Sequence, residues 1–221
     1  DVSITIEDCS FIENEGGGAG GALHLGLANG SLHVRESTFI GNVAGSNGGG
    51  AAWVRCVNSP CEFASSIFAG NESSGEGGAL KNWYGPADVT NCTFFGNSAP
   101  GGSDLVYRWG ASGTISNSIL GFGLEGPPMA CPEDGVPEVM YCYVFGNATG
   151  DSLCGVVGDN AFADPLFCNA PAGDFSLCSN SGCLPSNNPW GELVGALGEG
   201  CGPCYSAIRE TSWGSIKAMF R

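Results

Sequence analysis

The chain has 221 residues, a net charge of −15, 38 glycines, and only 13% charged against 43% hydrophobic residues. With seven Lys and Arg in all, a phosphate backbone would be repelled, which comes close to excluding nucleic acid as a partner and disfavours an anionic lipid surface. This much apolar content with so little charge argues against disorder, and the glycine points to short strands and turns rather than helices.

The first element, Ser3-Ile-Thr-Ile-Glu-Asp-Cys-Ser-Phe11, alternates with period two and sends Ile4 and Ile6 to one face of a strand. Its end carries Phe11 and Asn14, a pair that returns as Phe39/Asn42, Phe68/Asn71 and Phe94/Asn97 at steps of 28, 29 and 26 residues. A second motif keeps the same rhythm: Gly20-Gly-Ala-Leu23, Gly49-Gly-Ala-Ala52, Gly77-Gly-Ala-Leu80 and a degraded Gly101-Gly-Ser-Asp104. Two motifs sharing a period of 24–29 residues, with no helix-length amphipathic stretch and no leucine-rich frame, predict one solenoid coil per repeat. The expected fold is all-β: a right-handed parallel β-helix with coils ~4.8 Å apart.

In that fold the four Phe stack as an internal column. The four Asn sit at corners, where an amide tolerates a left-handed backbone and can bond its counterparts above and below. The Gly-Gly pairs supply positive φ for a sharp turn. Cys9 and Cys92 share the column filled by Ser37 and Ser66. They lie three coils, roughly 14 Å, apart at that spacing, so small buried thiols are expected there.

After each Gly-Gly-Ala, outward positions include His24, Trp53, Lys81, Trp83, Tyr84, Tyr107 and Trp109. The aromatic members form a candidate surface for a glycan or a partner protein; the competing reading has half of them capping the core or a loop. No catalytic site is expected. Glu13, Glu36, Glu62, Glu72, Glu76, Asp88 and Asp104 fall mostly at turns and share no repeat position, and Arg35, Arg55, Lys81 and Arg108 are scattered. His24 and His33 belong to no triad, and the Gly-rich runs read as corners rather than phosphate loops. Neither a cofactor nor a metal is expected.

Phe-x-x-Asn followed by Gly-Gly-Ala-Leu resembles the repeat of the bacterial polymorphic outer-membrane proteins and related β-helix surface proteins. The resemblance covers about residues 1–125 and implies surface display, adhesion and self-association. Residues 126–140 hold four of the twelve prolines and read as a loop leaving the wall, after which Tyr141–Asn147 re-enters as a coil. Ala163-Asp-Pro-Leu-Phe167, Gly173-Asp-Phe-Ser-Leu177 and Gly195-Ala-Leu197 resemble the closing coil of secreted bacterial β-helix proteins. Residues 126–200 are therefore expected to form irregular final coils with a loop insertion and disulfides, and residues 201–221 a C-terminal tail.

Twelve cysteines, an even number, point to an oxidising compartment and a secreted, extracellular or cell-surface location. Candidates for pairing are Cys56, Cys61, Cys131, Cys142, Cys154, Cys168, Cys178, Cys183, Cys201 and Cys204. Zinc is the rival, but Cys201-Gly-Pro-Cys204 is the one tight pair with metal-like spacing and no second pair or His lies near it in sequence, which favours disulfides. No run approaches a membrane span, and a leader is expected to have been removed unless the sequence is a fragment. In the tail, Trp213, Ile216, Lys217, Phe220 and Arg221 fit three readings: a sorting or anchoring signal, a strand donated to a neighbour, or a segment packed on its own solenoid. The chain reads as an extracellular structural or adhesin-like solenoid, with itself as an end-to-end partner into a filament or a glycan or host surface as ligand. A carbohydrate-binding or polysaccharide-cleaving β-helix is the alternative.

Overall fold

A computed structural model describes residues 2–205, and the tail residues from Trp213 to Arg221 named above lie outside them. The chain winds as a right-handed parallel β-helix with three main walls and a short fourth sheet of Glu15–Gly16, Val43–Ala44 and Glu72–Ser73. The first wall holds Ser3–Glu7, Ser31–Arg35, Cys61–Ala64, Ala87–Thr90, Thr114–Ser116, Glu138–Met140 and Val156–Val157, in that order. The second holds Ser10–Ile12, Thr38–Ile40, Ile67–Ala69, Thr93–Phe95, Ile119–Gly121 and Tyr143–Phe145. The third holds Leu23–Ala28, Ala52–Val57, Leu80–Tyr84, Leu105–Tyr107 and Met129–Ala130. Parallel pairing in register places Ile4 beside Leu32, Leu32 beside Cys61 and Cys61 beside Ala87, so each coil repeats the inward face of the one before.

The Phe column forms. Phe11, Phe39, Phe68 and Phe94 stack at centroid distances of 4.7, 4.8 and 4.9 Å with planes tilted by only 6°, 5° and 7°. Leu120 and Val144 continue it in register. The Asn ladder forms beside it. The Asn14 amide donates to the Asn42 carbonyl oxygen (2.8 Å), Asn42 to Asn71 (2.9 Å) and Asn71 to Asn97 (3.0 Å). Each carbonyl also accepts the backbone N–H of the Asn before it, so no buried rung lacks a partner.

Two details depart from expectation. The left-handed residue at this corner is the one before the Asn: Glu13, Gly41, Gly70 and Gly96 have φ of 52°, 63°, 62° and 62°. The turn must already be complete when the Asn amide points inward, so the preceding position takes the positive φ. The fourth Gly-Gly motif also sits one residue later than the sequence suggests. Leu105 pairs with Leu80, and the Ala79 N–H donates to the Asp104 carbonyl, so Asp104 stands where the motif has alanine.

The consequence is a buried acid. The next coil has Gly123 in place of an Asn, and the Asp104 carboxyl fills the gap, accepting from the Asn97 amide at 2.9 Å. Asp104 is fully buried, its second carboxyl oxygen has no partner, and burial pushes it up to about 8.

From residue 163 the chain leaves the coil and folds back along the outside of the second wall, rather than stacking as a further coil. Phe167–Asn169 runs antiparallel to Asp174–Cys178, which pairs in parallel with Glu199–Cys201. The segment is tied to the wall by the Asn91 amide to the Leu193 carbonyl (2.6 Å) and by the Gly195 N–H to the Asn117 carbonyl (2.8 Å). The reason lies in the wall's outer face, where Ile67, Ala69, Phe95 and Ile119 join Phe167, Phe175, Leu177 and Val194 in a second apolar core. Strands apolar on both faces need cover on both.

Disulfides join Cys56 to Cys61, Cys131 to Cys154, Cys168 to Cys201 and Cys178 to Cys204. Cys142 and Cys183, candidates for pairing, are free thiols. Cys142 occupies the inner Ser/Cys column, its sulfur against the Met140 carbonyl, and Cys183 is buried in the folded-back segment's own apolar cluster. Cys92 is buried as expected, whereas Cys9, in the first described coil, is exposed. Burial drives the Cys92 and Cys142 thiols up to about 12 and that of Cys183 higher still, which keeps all three protonated and unreactive.

Candidate binding face

Ring stacking along the third wall follows from its register. His24 lies beside Trp53, and Trp53 beside Lys81, on the face turned away from the core. The His24 ring meets Trp53 edge-on at 4.7 Å, Trp53 is 6.1 Å from Trp83, and Trp83 is 6.2 Å from Trp109. A register shift between Asn82 and Tyr84 sets a bulge at Trp83 and brings Tyr84 opposite Arg55. Trp109 follows the next strand on a left-handed turn (φ 54°) and is 49% exposed, while Tyr84 is 46% exposed. Four rings thus run up one wall across four successive coils.

Tyr107 does not belong to this surface. It pairs with Asn82 in the inward row, is fully buried, and donates its hydroxyl to the Ala87 carbonyl at 2.7 Å. Period-two alternation from Leu105 puts it inside, and the apolar ring stays there because its one polar atom is satisfied.

Glu76, Lys81 and Arg108, expected from the sequence to be scattered, are brought together by the coils beside the row, and Glu133 joins them. The Lys81 ammonium, almost wholly buried, donates to Glu76 (2.7 Å) and to the Asn47 carbonyl (2.8 Å). Arg108 forks to both carboxylate oxygens of Glu76 at 2.6 Å and to the carboxylate of Glu133. Burial raises the Glu76 pKa, but hydrogen bonds from Lys81 and Arg108 outweigh it and hold the carboxyl below its usual range. The Glu133 hydrogen bond, then Glu76, raises the Arg108 pKa. Both cations also face the indoles: the Lys81 nitrogen is 4.9 Å from the Trp83 ring, and the Arg108 guanidinium is 5.3 Å from Trp83 and 5.9 Å from Trp109. Two cations and two carboxylates cancel, leaving a neutral, rigidly braced aromatic strip. The signal available in sequence was spacing, since Arg108 lies 32 residues after Glu76 and 25 before Glu133, close to a coil length.

The first wall carries a polar row that also departs from expectation. Thr5, His33, Glu62 and Asp88 are register partners on successive coils, so two of the carboxylates do share a repeat position. The His33 ring pairs with Glu62 at 2.8 Å and Arg35 reaches the same oxygen at 3.5 Å; the His33 hydrogen bond chiefly holds Glu62 below its usual range. Asp88 accepts the Thr114 backbone N–H at 2.7 Å.

Among the described residues no helix is long and apolar enough to cross a membrane. No family model matches the chain, and no curated protein or solved structure matches it significantly. The parallel solenoid is therefore carried by the structure itself, and nothing in these comparisons ties it to the polymorphic outer-membrane repeat family that its motifs resemble.

Proposed function

We propose that this chain is an extracellular adhesive solenoid whose third wall holds a neutral glycan against the row His24, Trp53, Trp83 and Trp109. The observation that carries the reading is that row, three indoles and an imidazole aligned along the axis and braced by paired charges. The apolar C–H face of a sugar ring packs on an indole, and successive rings 6.1 and 6.2 Å apart offer one platform per sugar. Cancelled local charge and a net charge of −15 disfavour acidic glycans. Four disulfides support an oxidising, extracellular setting. The reading contains no catalytic step.

Tryptophan fluorescence titrated with neutral oligosaccharides is the test. Saturable quenching is expected, and Trp83→Ala weakens binding at least about tenfold, as loss of a central aromatic anchor does. Absence of quenching with every neutral glycan class tried overturns the proposal. Release of new chain ends from a bound polysaccharide, lost in Glu62→Gln or Asp88→Asn, would favour cleavage over adhesion.

A further inference from the structure

We infer that the four cysteines of the folded-back segment, Cys168, Cys178, Cys201 and Cys204, form a tetrathiolate site for zinc when their disulfides are reduced. Among the described residues, Cys168, Cys178 and Cys201 are the one set of His, Cys, Asp or Glu side chains close enough to share an ion. Cys204, bonded to Cys178, is the proposed fourth ligand: its sulfur stands 3.9 Å from that of Cys201, although it lies outside the mutually close set of three. The fold supplies the second pair that sequence spacing lacked.

Distances support zinc in particular. Four thiolates at ~2.3 Å from a tetrahedral zinc lie roughly 3.8 Å from one another. Across the two disulfides, Cys201 already stands 3.6 Å from Cys178, and within the Cys-Gly-Pro-Cys turn 3.9 Å from Cys204. The bonded partners have Cα atoms 6.0 and 5.7 Å apart, so their sulfurs can separate to that edge length by side-chain rotation.

Backbone pairing braces this cage in addition to the S–S bonds. Cys178 and Cys201 are register partners in parallel strands, and the Cys178 N–H donates to the Leu166 carbonyl, two residues before Cys168. Asn180 clamps Cys204 from both sides, accepting its N–H at 2.9 Å and donating to its carbonyl at 2.8 Å. Reduction therefore frees four thiols that stay together.

The chemistry balances simply. A phosphine reductant takes each disulfide to two thiols, with two electrons from phosphorus and two protons and the phosphine-oxide oxygen from water. Zinc then replaces the four S–H protons, which pass to the buffer, and the site holds Zn(II) with four thiolates. The same four residues close the segment as two disulfides under oxidising conditions and as one metal centre under reducing ones.

Cobalt(II) is the probe. Protein reduced with a phosphine under anaerobic, metal-free conditions should take up one equivalent, with the intense visible bands of tetrahedral thiolate cobalt, and zinc should bleach them stoichiometrically. Cys201→Ser with Cys204→Ser should abolish the bands, whereas Cys56→Ser with Cys61→Ser should leave them unchanged. No tetrahedral spectrum, with or without loss of β-sheet circular dichroism on reduction, overturns the proposal. Bands that survive in the Cys201/Cys204 double variant overturn it as well, by assigning the metal to other thiols.

Discussion

The regular coils and the folded-back C-terminal segment are stabilised in opposite ways. In the coils every device is repeated: a stacked Phe, an Asn rung and a Ser or Cys hydroxyl or thiol recur on successive turns, and each interior copy is supported from two sides. The segment from residue 163 repeats nothing. It relies on one apolar cluster against the second wall, a few ties such as Asn91 to Leu193, and two disulfides that share one small region. A repeated array tolerates damage at its ends and is weak to damage in its middle, because only interior rungs have two neighbours. A single-copy segment has no such gradient. It holds or detaches as a unit.

The sharpest break in that comparison is Phe68→Ala. It removes the ring between Phe39 and Phe94 and should cost about 3–5 kcal/mol in chemical denaturation. Phe11→Ala, at a partly buried position with one stacking neighbour, should cost much less. Equal losses at both positions would mean that the column does not act as an array.

Next in size is Cys178→Ser with Cys204→Ser, expected to cost about 2–4 kcal/mol. In hydrogen exchange the loss of protection should fall on residues 163–205 and spare the Phe and Asn columns. Protection lost through all coils would show that the segment and the solenoid unfold together.

Asp104 sharpens the comparison within the coils, because it is where the array is interrupted. Its carboxyl titrates at about 8 when folded and near ~3.9 in an unfolded chain. Between those values the native state keeps a proton that the unfolded state has lost, so this group's contribution to stability is complete below about pH 4. It declines as pH rises to about 8 and is flat above. Asp104→Asn keeps an acceptor for Asn97 and should remove that slope, read as the difference in urea midpoint between variant and parent at pH 5.5 and 7.5. Parallel pH profiles would place the ionised carboxylate in the native core.

The smallest effect concerns the free thiols. Iodoacetamide on the folded, oxidised protein should modify Cys9 and leave Cys92, Cys142 and Cys183 unmodified by mass spectrometry, with no change in melting. Rapid labelling of Cys142 would show the later coils opening locally.

Sequence alone determined the solenoid, its period, the Phe column and the Asn rungs, because each residue of a coil meets its own counterpart one coil away. Spacing in the chain then equals position in space, and Phe11, Phe39, Phe68 and Phe94 can be aligned by counting. The candidate binding face was legible in part. His24, Trp53, Trp83, Tyr84 and Trp109 could be assigned outward, but the bulge at Trp83, the inward turn of Tyr107 and the register of Asp104 depend on coil lengths that vary from turn to turn. Tertiary structure alone decided where Glu76, Lys81, Arg108 and Glu133 meet, where residues 163–205 lie, and which cysteines pair. Those contacts join chain segments of unequal spacing, in one case 102 residues apart, where no repeat relates sequence distance to distance in space.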